Sequence, residues 1–320
     1  MKSQEKVTAF RNGEIKRNRG KGNMGMDACT LCPRMCGVNR AAGEKGYCGM
    51  DATIRAARAA LHMWEEPCIS GTRGSGAVFF SGCSLRCIFC QNFEIAEGNC
   101  AKEISGERLS EIFLELQEQG AANINLVTAA HYVPAVIESL KKAKAQGMDL
   151  PVIYNSSGYE RVETVQMLEE IVDVWLPDFK YMDSKLAFAT SRAKDYPEVA
   201  RAAIREMMKA AGTCAYDEDG YIQKGVIVRH LILPGHTKNS IAVLDELYGT
   251  YGDDLTISLM NQYTPLPQVR NIPDLNRRVT KREYEKVLDH ALDLGITQGF
   301  FQEGGTAKES FIPLFDYEGL

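Results

Sequence analysis

The chain has 320 residues, too many for one small core and enough for a barrel-sized domain with an appendage. Its 45% hydrophobic and 25% charged content is that of an ordinary globular protein, and its net charge of −5 excludes a strong general attraction to nucleic acid. No apolar run approaches the roughly 20 residues of a membrane span, and MKSQEKVTAF holds no apolar leader core, so a cytoplasmic protein with no membrane contact is expected.

In that compartment thiols stay reduced, and the ten cysteines read as metal ligands rather than disulfides. Residues 1–26 are polar and poorly patterned, with a basic run from Arg11 to Lys21 that reads as a solvated end. Residues 27–75 are rich in cysteine and glycine and lack the apolar residues for a core of their own. They read as a metal-stapled module.

From residue 76 to the end, strand and helix signals alternate. Strands are expected at GAVFFSG, ANINLVT, LPVIYNS, VDVWLPDFK, GVIVRHLILPG and LTISLMNQY. Helices are expected between them and after the last, at GERLSEIFLELQEQG, VPAVIESLKKAKAQG, RVETVQMLEEI, EVARAAIREMMKAAG, NSIAVLDELYG and TKREYEKVLDHALDLG. Strands separated by helices pair in parallel through right-handed crossovers. An open doubly wound sheet and a six-unit partial barrel both satisfy this pattern.

Cys83, Cys87 and Cys90 follow the first of these strands in GCSLRCIFCQN, a C-x3-C-x2-C spacing. Closed iron–sulfur sites take four thiolates. Three leave one iron of a [4Fe–4S] cube open, as a catalytic zinc keeps one open position. A loop at a strand's C-terminal end is where a parallel β/α fold builds its active site. Cys100 is either a fourth ligand or an unrelated thiol.

A second set, Cys29, Cys32, Cys36 and Cys48, follows C-x2-C-x3-C-x11-C. Four thiolates close a zinc site, a rubredoxin-like iron site or an iron–sulfur cluster, and spacing alone does not choose. Cys68 reads either as an extra ligand or as a buried thiol. Trp64, Glu65 and Glu66 beside it are aromatic and acidic, and the carboxylates read as partners in a surface salt bridge, with a proton relay as the alternative.

The phrase CSLRCIFCQN resembles the signature of the radical S-adenosylmethionine (SAM) superfamily, with the aromatic Phe89 before the last cysteine. The resemblance implies a partial (β/α)6 barrel and a [4Fe–4S] cluster held by Cys83, Cys87 and Cys90. Its open iron would chelate SAM and cleave it to a 5′-deoxyadenosyl radical. With the N-terminal cysteine block and later phrases such as VDVWLPDFKYMD and VIVRHLILPG, the chain looks like an uncharacterised branch related to pyruvate formate-lyase activating enzyme.

The same resemblance implies site residues. Asp178 and Lys180 match an Asp-x-Lys motif, their spacing of two turning both side chains to one strand face. Arg229 matches an arginine that contacts SAM, and His230 beside it should face the helices. Asn155 and Thr128 offer polar groups at strand ends. Val127 to His131 replaces the Gly-Gly-Glu segment of activating enzymes, leaving His131 either structural or a SAM contact. Gln262 lies where those enzymes carry a polar adenosine-site residue. Partners implied are a flavodoxin or ferredoxin as electron donor and a glycyl-radical enzyme as protein substrate. Radical modification of a small molecule or peptide, and a non-catalytic iron–sulfur or zinc protein, are the alternatives.

Overall fold

The computed structural model describes residues 26–302 and 313–320. The polar extension read at 1–26 lies outside the described residues save for Met26.

Ten strands form the sheet: β1 Arg55–His62, β2 Ser75–Phe80, β3 Lys102–Glu103, β4 Ile124–Val127, β5 Val152–Ser156, β6 Val174–Pro177, β7 Ala215–Tyr216, β8 Ile222–Leu231, β9 Thr256–Met260 and β10 Gly299–Phe301. Their order is β10-β9-β8-β6-β5-β4-β2-β1-β3, with β7 hairpinned onto β8. From β2 through β10 the main neighbours run parallel. The sheet remains open, and the chain folds as the partial β/α barrel expected of six βα units.

The strands β2, β4, β5 and β6 are buried at every position, as strands covered on both faces must be. Helices between them close the outer layer. Helix Gly106–Glu118 puts Leu109, Ile112, Phe113 and Leu116 into the core and starts where Ser105 accepts the Arg108 N–H. Helix Lys281–Asp293 opens on a reciprocal capping box between Thr280 and Glu283.

Four strands escaped the sequence pattern, the two-residue β3 and β7 among them. Residues 55–62, inside the cysteine-rich segment, form β1 and pair antiparallel with β2 along the barrel edge. β10 is a three-residue strand added parallel to β9. The C-terminal segment returns to β1, where Ala59 N–H donates to Glu318 O and Arg58 pairs with Asp316 and Glu318.

Candidate functional site

Parallel strands deliver their C-terminal ends to one rim. The loop after β2, the turns after β4 and β5, the end of β6 and the side chains of β8 and β9 meet there around a cleft of about 230 Å³. Cys83, Cys87, Phe89, Cys90, Thr128, Asn155, Asp178, Lys180, Arg229 and Gln262 all line it.

The cysteine loop begins at Gly82, whose φ is +90°. A Cβ there would meet Cys48 O at 2.9 Å and the His131 ring at 3.1 Å, so only glycine fits. Beyond it, Leu85 N–H donates to Cys83 Sγ at 3.3 Å, and Ser191 Oγ donates to Cys87 Sγ at 3.1 Å. Such bonds stabilise sulfur as a thiolate. Without a metal, burial pushes the Cys87 and Cys90 thiols up, and Cys90 is pushed further by the charges of Cys87 and Cys83. The three sulfurs therefore sense one another. Among the described residues no three such ligands gather closely enough for a single ion. Three thiols on one loop lining one cleft, two of them accepting hydrogen bonds at sulfur, suit a cluster held by three thiolates.

Facing the thiols is one connected set of charges. Lys180 Nζ lies 2.5 Å from Asp178 Oδ2. Arg229 donates from Nε to Asp178 Oδ1 (3.1 Å), from Nη1 to Glu65 Oε2 (3.1 Å) and from Nη2 to Asn155 Oδ1 (2.6 Å). Asn155 and Asn125 each donate to Glu65 Oε1 at 3.1 Å. Burial alone would raise the Asp178 carboxyl, but Lys180 and Arg229 hold it below its ordinary value. Burial opposes the charges of Lys180 and Arg229 too, but it is outweighed by Asp178 with Cys87 at Lys180, and by Asp178 with Glu65 and Glu66 at Arg229. Asp178, Lys180 and Arg229 thus keep their charges.

Backbone geometry supports the polar rim. Thr128 has φ +63°, unusual for a β-branched residue, and its N–H donates to Asn155 O. Gly158 (φ +71°) lets the chain pass directly under Asp178 O. Phe89 is buried against the rings of Tyr181 and Tyr263.

Glu65 belongs to this set, although its place in WEEPC reads as surface. Its ion pair exists, but inside the barrel. Glu66 is buried without a partner for Oε2, and burial raises its carboxyl. His62 also lines the cleft, held neutral by burial, with its pKa lowered to about 4. His131 lies behind the cysteine loop instead, with Nε2–H donated to Ser81 O at 2.7 Å, and is structural. His230 faces away from the cleft, bonded to Phe179 O. Gln262 gives its carbonyl to Gln91 Nε2.

The other cysteines sort by place. Cys29, Cys32, Cys36 and Cys48 lie in the segment packed against the Cys83 loop. Cys68 is apart from them, in an apolar cluster with Ile69, Ile153 and Val174. Cys100 packs by Ala57 and Phe79 with its thiol 3.9 Å from Glu94 Oε2.

The family model of the radical SAM superfamily matches residues 77–247. An uncharacterized protein of Methanocaldococcus jannaschii is 28% identical over 270 residues, covering 82% of this chain and 74% of that protein. Among solved structures, HydG, a maturase of the [FeFe]-hydrogenase, superposes with a TM-score of 0.51 at 14% identity over 72% of this chain and 52% of that one. SuiB of Streptococcus suis bound to its precursor peptide SuiA gives 0.46 at 13% identity over 70% and 47%. The chain thus spans about half the length of these two proteins, and the HydG likeness bears on the fold alone.

Proposed function

The chain belongs to the radical SAM superfamily, and from that premise we propose that Cys83, Cys87 and Cys90 hold its [4Fe–4S] cluster while the cleft opposite binds SAM. The family's chemistry is reductive cleavage of SAM at that cluster to start radical reaction of a second substrate. The observation that carries the site assignment is the single cleft shared by three thiols and four buried charges.

The residues divide the work by chemistry. Asn155 and Thr128 offer neutral polar groups suited to ribose hydroxyls. Asp178, Lys180 and Arg229 present fixed charges to a zwitterionic methionine moiety, and Glu65 keeps Arg229 in place. Phe89 shields the cysteine loop from water on its inner side. A low-potential flavodoxin or ferredoxin would supply the electron.

For the second substrate, a glycine in a glycyl-radical protein is the reading we favour. Its support is the open sheet, whose unclosed edge lets a polypeptide loop approach the cleft. Val127 to His131, standing where activating enzymes carry Gly-Gly-Glu, favours a second reading, radical modification of a small molecule or peptide.

The test is direct. Anaerobically reconstituted protein, reduced with dithionite and given SAM, should release 5′-deoxyadenosine. Release no higher than that of a Cys87→Ala variant would overturn the site. With turnover in hand, a doublet in the electron paramagnetic resonance (EPR) spectrum of a glycyl-radical protein would select the first substrate reading.

A further inference from the structure

Arg40 is 1% exposed and, among the described residues, makes no ion pair. Its guanidinium donates to the carbonyls of His131 and Asp51, its Nε has no partner, and Nη1 lies 4.0 Å from Cys29 Sγ. A buried cation without an anion is costly. An anionic group is needed to balance it, and among the described residues no carboxylate pairs with it.

Besides the Tyr132 ring, 5.7 Å from the guanidinium, its neighbours include cysteine sulfur. Cys29, Cys32 and Cys48 are buried and Cys36 reaches the surface. The Cys48 thiol is within electrostatic reach of Cys29, Cys36 and Arg40, and the Cys32 thiol of Cys29 and Cys48. Between Cys36 and Cys48 stands Gly46. Its φ is not positive, so its backbone does not demand glycine. A Cβ there would meet Cys36 Sγ at 3.1 Å and Cys48 Sγ at 3.6 Å, filling the space between the sulfurs. Cys32 also takes the backbone N–H of Arg34, two residues on, just as Cys83 takes that of Leu85.

Position bears on what is held. The segment packs on the loop of Cys83, with Cys48 O against Gly82, so a cluster here would stand beside the first site and could exchange electrons with it, which redox-inert zinc could not.

We propose that Cys29, Cys32, Cys36 and Cys48 hold a second iron–sulfur cluster, fully ligated by thiolates and charge-balanced by the buried Arg40. It would abut the first site, because Cys48 O packs against Gly82, next to Cys83. The inference does not rest on the SAM reading, since none of its residues touches the cleft.

The test uses the full chain with Cys83, Cys87 and Cys90 all changed to Ala, reconstituted anaerobically. Iron and acid-labile sulfide should remain in about equal amounts, and the reduced sample should give an EPR signal that ignores added SAM. Zinc without sulfide in that variant, or no bound metal in a variant whose circular dichroism matches the parent, overturns the proposal. Should that variant not fold, metal content decides: a Cys29→Ser/Cys32→Ser variant should hold about half the parent's iron and sulfide, and an unchanged content overturns the proposal. Failure of the SAM reading would look different, as a parent EPR spectrum that does not respond to SAM at all.

Discussion

Glu65 Oε2 and Arg229 Nη1 lie 3.1 Å apart inside the barrel, although 164 positions separate them in the chain. The pair leaves the cleft electrically even, because Asp178 already answers Lys180. Glu65→Gln keeps the shape and one acceptor but removes a charge. Two cations would then face one anion. Breaking a buried pair on one side costs about 3 kcal/mol. Denaturant unfolding should show that loss, and 5′-deoxyadenosine release should fall at least tenfold. Unchanged values in both assays would mean that the carboxylate is a bystander.

Gly158 offers a sharper test of backbone placement. Its φ is +71°, and a Cβ would overlap the carbonyl oxygen of Asp178, a backbone atom that cannot swing aside. The same carbonyl is pinned by Tyr196 Oη at 2.9 Å, which also donates to Ser157 O. Gly158→Ala must therefore move the strand end that carries Asp178 and Lys180. We expect a loss of several kcal/mol in stability. Any protein that still folds should bind SAM poorly by equilibrium dialysis. Normal binding by a stable variant would show that the turn has room to spare.

His230 sets an acid limit. Its Nδ1–H donates to Phe179 O, and its buried Nε2 has no partner. Burial lowers its pKa from 6.5 to about 4, against the pull of the Phe179 carbonyl, with Lys180 adding to the fall and Asp178 opposing it. The unfolded chain therefore binds a proton below pH 6.5 that the folded chain refuses until about pH 4. Stability is full above pH 6.5 and falls as the pH drops through that window, by about 3 kcal/mol for this group. His230→Gln should flatten the dependence of the melting temperature on pH between 6.5 and 4. An equally steep dependence in the variant would assign it to other groups.

How much of this was legible in the sequence follows from what each signal needs. The six main strands carry long apolar runs bounded by glycine, and the cysteine loop carries its own spacing. Asp178, Lys180 and Arg229 stand out as charges inside apolar strands, where burial forces a partner. Strand β1 has no such mark, because the alanines of RAARAALH carry little strand preference. Glu65 follows from β1. Only the antiparallel pairing of β1 with β2 turns that carboxylate inward, and a tertiary event leaves no local trace. Arg40 was hidden for the same reason: a basic residue in a glycine-rich loop looks solvated until the loop is folded onto the barrel.

Arg34 shows how the N-terminal segment is tied to the cysteine loop. Its Nε donates to Ser84 O (2.9 Å), Nη2 to Ser191 O (2.9 Å) and Nη1 to Arg192 O (2.6 Å), while the guanidinium lies 4.1 Å from the Tyr47 ring centre. Ser84 sits beside Cys83, and Ser191 is the residue whose hydroxyl bonds Cys87 Sγ. One planar fork thus holds both walls of the proposed cluster site. Lysine has the charge but not the fork. Arg34→Lys should therefore behave like Arg34→Ala, with about 2 kcal/mol lost in unfolding as carbonyls go unmatched. The cluster should also bleach several-fold faster in air or chelator, followed by its visible absorbance. If lysine restored the parent's bleaching rate, charge alone would be holding the loop.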